Sequence, residues 1–167
     1  MQFLDLLLSI EKAKIKHLVV GGVAINLHGI ERLTKDIDLV VYLEKKNILK
    51  FLKLMALLGF RPILPTPAIH FADPVKRAEW IRNKNMLVFS FYHKTDPMKV
   101  VDVFVRHPLP FASMYKRRLS ISIGSSKIPV IGIQDLIKLK QKAGRLQDRS
   151  DVRALQKALK VKKEKNR

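Results

Sequence analysis

The chain has no cysteine, one tryptophan and only 14 acidic residues against 33 Lys and Arg. Without thiols, disulfides and thiolate metal sites are both excluded. Long apolar runs are missing too: none approaches the roughly 20 residues of a membrane span. The apolar opening, MQFLDLLLSIEKAK, is interrupted by Asp5 and has neither a basic start nor a small-residue cleavage site. No secretory signal or membrane anchor is therefore expected, and the expected location is cytoplasmic. The shortage of acids leaves a formal net charge of +19, which predicts attraction to polyanions: nucleic acid, nucleotides or an anionic surface. What is present is core-forming material. Hydrophobic residues make up 47% of 167 residues, which suits one compact folded domain rather than a disordered chain.

No internal repeat is visible. Residues 2–14 carry apolar positions at helical spacing, and IKHLVV (15–20) reads as a buried strand stopped by Gly21 and Gly22. VAINLHG reads as a helix that Gly29 terminates. TKDIDLVVYL (34–43) is a second strand, and 44–60 an amphipathic helix ending at Gly59. The Pro-punctuated stretch 61–74 reads as irregular. MLVFSFYH and KVVDVFV (99–105) read as a strand pair, and LSISIGSSKIPVI as a hairpin turning at Gly124. From Ile133 onward the chain reads as helical and increasingly basic. This order favours an α/β or α+β fold with a small mixed sheet flanked by helices, closed by C-terminal basic helices. Residues 1–160 form the expected domain, and 161–167 an expected disordered basic tail. Trp80 is assigned to the core.

Three acids stand out because they interrupt strands. Asp36 and Asp38 are two apart, so they project from one side of their strand. Like charges that close raise each other's pKa unless a cation sits between them. Asp102 interrupts KVVDVFV in the same way, facing opposite to Val101, Val103 and Val105. Mg²⁺ takes one or two carboxylates and completes its shell with phosphates and water. Three acids from two strands can hold two such ions, one at an attacking hydroxyl and one at a triphosphate. Gly21 and Gly22, between a strand and a helix start, let backbone N–H groups approach a phosphate. Plainer readings stand beside these: a simple turn, a solvated strand face, an aspartate paired with one of many lysines.

The stretch GGVAINLHGIERLTKDIDLVV, residues 21–41, resembles the signature of the DNA polymerase β-like nucleotidyltransferase superfamily. That signature is a Gly-Gly or Gly-Ser turn, a helix, an acid-x-acid strand and a third acid on a later strand. Within it, the chain is most similar to the minimal AbiEii-type nucleotidyltransferases, whose His-Gly-x-x-Arg-x-Thr-x-Asp-x-Asp pattern is met by His28, Gly29, Arg32, Thr34, Asp36 and Asp38. A later family segment, a Lys followed by Gly-Arg-x-Lys-Asp-x-x-Asp, is matched by Lys140, Gly144, Arg145, Asp148 and Asp151, with Gln147 in place of the second lysine. The resemblance implies a nucleotidyltransferase fold and an NTP bound with two Mg²⁺ on Asp36, Asp38 and Asp102. It implies nucleotide contacts from Gly21, Gly22, Arg32, Thr34 and Lys140, and makes Asp102 the better candidate for base. His28 is not assigned that duty. It also implies an acceptor hydroxyl on RNA, protein or a small molecule, and a cognate antitoxin or other partner protein in a toxin–antitoxin or phage-defence setting.

Two features of the residues themselves bear on this. Lys140 falls on the apolar stripe of its helix with Ile133, Leu136, Ile137 and Ala143, so it points inward. Its ammonium either snorkels to water or meets a triphosphate or the carboxylates. Arg145, Arg149, Arg153 and Lys157 recur every fourth residue as a basic stripe. Such a stripe is either a solvated face or a track for a polyanionic acceptor, and the surplus of charge favours RNA, tRNA among the options. The competing expectation is a catalytically silent protein of this fold that binds nucleic acid or a partner protein.

Overall fold

The computed structural model describes residues 3–165. At its centre are two strands with complementary demands. Strand β1 (His17–Val20) is buried along its whole length, and β2 (Asp36–Val41) alternates half-buried acids with buried Ile37 and Leu39 before ending in buried Val40 and Val41. β1 and β2 pair antiparallel, with Val20 opposite Asp38, and helix α2 (Gly21–Leu27) makes the connection.

Around that pair the sheet grows outward on both sides. It has seven strands: β3 (Phe60–Pro62), β4 (Val88–His93), β5 (Asp96–Phe104), β6 (Leu119–Ile123) and β7 (Ser126–Val130) join in the order β3-β4-β5-β2-β1-β7-β6. β2 runs parallel to β5 and β1 parallel to β7; the other pairs are antiparallel. The mixed α/β architecture is the expected one. The strand pair and the hairpin lie where the alternation put them.

The face carrying Ile37 and Leu39 holds the aromatic core. Phe91 meets Phe51 of α3 (Lys45–Leu57) edge-on at 6.0 Å between centroids. Phe89 stacks on Trp80 at 5.1 Å and on Phe71 at 5.5 Å. Helix α1 (Phe3–Lys12) covers the same side, with Leu6, Leu7 and Ile10 buried. α3 is anchored at its start, where Glu44 accepts hydrogen bonds from Lys46 N–H and Asn47 N–H. Asn47 then grips the chain on both sides, accepting from Lys16 N–H and donating to the carbonyls of Lys16 and Tyr42.

The Pro-punctuated stretch is more ordered than expected. It contributes β3, a short 3₁₀ helix (Ala68–Ala72) and helix α4 (Pro74–Lys84). The reason is local. Asp73 caps α4 by accepting from Val75 N–H at 2.8 Å, Pro74 occupies a first-turn position, and Asn85 closes the helix at a φ of 48°. A short helix α5 (Phe111–Lys116) follows Pro110. The C-terminal helices are α6 (Ile133–Ala143) and α7 (Leu146–Lys165), separated by Gly144 at a φ of 67°. Of the tail expected to be disordered from residue 161, Val161–Lys165 continues α7, while Asn166 and Arg167 lie outside the described residues. No helix among the described residues is long and apolar enough to cross a membrane.

Phe89→Ala removes the ring shared by Trp80, Phe71 and Phe91. It is expected to cost about 3–5 kcal/mol, read in urea denaturation from the fluorescence of Trp80, the sole tryptophan.

Candidate functional site

β2 and β5 lie side by side in parallel, with Asp38 opposite Asp102 and Asp36 opposite Val100. Residues paired across a ladder point to the same face, about 4.8 Å apart along the hydrogen-bond direction. The alternation that sends Ile37, Leu39, Val101 and Val103 into the aromatic core therefore turns all three acids to the other face.

Their charges interact. Burial pushes the Asp38 carboxyl up to about 6; Asp102 and Asp36 add to the rise, while Lys140 and a hydrogen bond from the Gly22 N–H oppose it. Burial also raises Asp102. There the Ser90 hydroxyl, donating at 2.5 Å, and the Arg145 charge pull the other way, and Asp36 adds to the rise. Among the described residues no three acidic or histidine side chains form a ready-made metal cage. A site that shares its cation with a triphosphate has no need of one, because phosphate oxygens and water fill most of a Mg²⁺ shell. Asp38 and Asp102, whose ionisation is opposed first by burial and then by neighbouring acid charge, fit such a cation.

The glycine turn is pressed onto this cluster. Gly21 has a φ of +64°, and a Cβ there would sit 1.9 Å from Asp38 Oδ2. A Cβ on Gly22 would meet Thr34 Oγ1 at 2.7 Å. Glycine is thus required twice: for a left-handed backbone, and for contact with an acid and a threonine. Thr34 Oγ1 donates to the Asp36 carbonyl at 3.2 Å, fixing the entry into β2.

Arg32, from the α2–β2 loop, and Lys140, from α6, meet at Asp151 of α7. The loop is pinned to α2 by Asn26, which accepts from Arg32 N–H and donates to the Arg32 carbonyl. Lys140 points inward as the stripe predicts, and Asp38 feels its charge. Its ammonium, however, is bound by two acids of α7: Nζ lies 2.9 Å from both Asp148 Oδ1 and Asp151 Oδ2. Burial works against that charge, but the bonds to Asp148 and Asp151 outweigh it and raise the pKa. Arg32 Nε donates to Asp151 Oδ1 at 3.0 Å. His28 is structural, with Nε2 donating to the Ile131 carbonyl at 2.8 Å.

Sequence reasoning missed Ser90. Its signal was a lone hydroxyl in the aromatic strand MLVFSFYH, and the register that sets it opposite Asp102 became visible only once β4 and β5 were paired. A groove of about 620 Å³ does not contain Asp36, Asp38 or Asp102. It lies between α6 and α7, with Lys140, Leu146, Asp148, Arg149 and Arg153 among its lining.

The fold is shared with solved nucleotidyltransferase structures. No family model and no curated protein matches the chain. Solved structures do. A lincomycin-bound lincosamide antibiotic adenylyltransferase, LnuA, aligns over 92% of this chain and 91% of its own at 14% identity and a TM-score of 0.57. ANT(2″)-Ia in complex with adenylyl-2″-tobramycin aligns over 95% and 87% at 14% identity, TM-score 0.56. An antigenic nucleotidyltransferase-like protein from Paracoccidioides brasiliensis aligns over 94% and 73% at 15% identity, TM-score 0.55.

The Asp38 shift has a thermodynamic consequence. A carboxyl whose folded pKa is raised from 3.8 to about 6 stabilises the fold fully below pH 4 and loses that contribution as pH rises through 6. The loss is about 3 kcal/mol for a shift of roughly two units. In chelator-treated protein, Asp38→Asn is expected to gain on the native chain by up to that amount between pH 4 and pH 7. The difference between the two proteins, measured by urea denaturation at each pH, cancels the opposite contribution of His17, whose burial lowers its pKa to about 4. A pH-independent difference would contradict the assignment.

Proposed function

We propose that the chain is a Mg²⁺-dependent nucleotidyltransferase that moves a nucleoside monophosphate from an NTP to an acceptor hydroxyl. The observation that carries this reading is the register of Asp38 against Asp102 on adjacent parallel strands, with Asp36 on the same face. Asp36, Asp38 and Asp102 would hold the ions; when bound, Mg²⁺ supplies charge neutralisation at the triphosphate and activation of the hydroxyl. Gly21 and Gly22 bring backbone N–H groups, and Arg32, Thr34 and Lys140 side chains, to the nucleotide. Asp102 takes the proton of the acceptor hydroxyl as its oxygen bonds to the α-phosphorus. The bond from the α-phosphorus to the bridging oxygen breaks, and pyrophosphate leaves. The adenylyl-2″-tobramycin of one similar structure is a product of that kind in its own protein.

The acceptor we favour is RNA, tRNA included. Arg145, Arg149, Arg153 and Lys157 are all exposed on and just before α7, opposite buried Leu155. A polyamine such as tobramycin is cationic, and a formal net charge of +19 repels it. A toxin–antitoxin setting, with a cognate partner protein, fits by family resemblance. The silent-binder reading draws on the same exposed cations.

Incubation with each radiolabelled NTP, Mg²⁺ and total RNA or lysate is expected to transfer label to a macromolecule, and Asp36→Ala with Asp38→Ala to abolish transfer together with the Mg²⁺-dependent part of the NTP thermal shift. An unchanged thermal shift in the double variant would leave only electrostatic binding. Arg149→Glu with Arg153→Glu is expected to lower the slope of log affinity for RNA against log salt by about 1–2, checked by fluorescence anisotropy. An unaltered slope would move RNA off this face.

A further inference from the structure

Asp148 and Asp151 have had no part in the chemistry so far, yet acids are scarce in this chain and these two are buried on a helix whose Arg149, Arg153 and Lys157 face solvent. Asp151 ties three segments together: α7 itself, α6 through Lys140 Nζ at 2.9 Å, and the α2–β2 loop through Arg32 Nε at 3.0 Å. Asp148 holds the same ammonium at 2.9 Å and is itself oriented by the Arg145 N–H, which donates to its Oδ2 at 3.2 Å. Of the two side-chain cations so held, Lys140 is close enough to the acid cluster for its charge to act on Asp38.

An ammonium has three N–H donors. Asp148 Oδ1 accepts from one, and Asp151 Oδ2, 2.9 Å away but accepting no hydrogen bond, draws the ammonium by charge, so together they limit where the remaining donors point. A lysine on a four-carbon stem otherwise loses rotamer freedom when it grasps a ligand, and holding it beforehand removes that cost from binding.

We propose that Asp148 and Asp151 are positioning residues for the nucleotide, holding Lys140 beside the carboxylate cluster so that a free Lys140 N–H meets a phosphate oxygen. This rests on the nucleotide reading of the site. It opposes simple Coulomb expectation in sign: carboxylates beside a polyanion repel it, so removing one tightens binding if charge alone matters. Positioning demands that binding weaken.

The test is isothermal titration of the full chain with Mg²⁺ and the α,β-methylene analogues of the four NTPs, in the native protein, Asp148→Asn, Lys140→Met and the double variant. Circular dichroism melting verifies the fold, and Asp151→Asn serves as a second variant should Asp148→Asn not fold. The expected result is a loss of about tenfold in affinity for Asp148→Asn and no further loss when it is added to Lys140→Met, the non-additivity of residues acting through one another. Unchanged or tighter binding by Asp148→Asn, or losses that simply add, would overturn the positioning role while leaving the nucleotide site standing. A native protein that binds none of the four analogues with Mg²⁺ would overturn the nucleotide reading and this inference with it.

Discussion

Two carboxylates facing each other across a parallel ladder are an electrostatic liability, and the rest of the site is organised around it. The pairing of β2 with β5 sets Asp38 against Asp102, and the pleat adds Asp36 to the same side. Neither acid can turn away, because Ile37, Leu39, Val101 and Val103 are committed to the aromatic core on the opposite face. A shift of one residue in either strand would bury charges in that core and expose its aliphatic side chains. Hydrophobic burial therefore enforces a repulsion that side chains alone would avoid.

The neighbours soften the repulsion without cancelling it. Ser90 donates to Asp102, the Gly22 N–H to Asp38, and Lys140 and Arg145 add positive charge from the α6–α7 side. Asp38 still stays well above an ordinary carboxyl, with its pKa pushed up to about 6. The residual negative charge is what a divalent cation shared with a triphosphate would neutralise. The two cations that enter from flanking segments are themselves matched by α7, where Asp148 and Asp151 hold Lys140 and Asp151 holds Arg32. The site thus has a negative centre, Lys140 and Arg145 acting on it from the α6–α7 side, and Asp148 and Asp151 behind Lys140. Beyond these lies a solvent-exposed basic stripe.

Local signals governed what could be read early. Period-two alternation located β2, β4 and β5, glycines ended the elements at residues 21, 29 and 59, and a helical stripe turned Lys140 inward. The Asp73-Pro74 start and Asn85 stop of α4 were equally local, but the prolines before them read as an irregular stretch. Short β3 and α5 carried too few residues for any period to emerge.

The amino-acid order by itself determined the alternating strands, the position of the glycine turn, the sidedness of Asp36 and Asp38, and the excess of positive charge, because each depends on residues within a turn or two of one another. Only the tertiary structure decided that Asp102 stands beside Asp38, that Ser90 serves Asp102, and that Lys140 answers to acids on the next helix rather than to solvent. Those facts depend on which strands become neighbours and in what register. That choice is made by burying apolar faces across distant parts of the chain, and no local spacing records it.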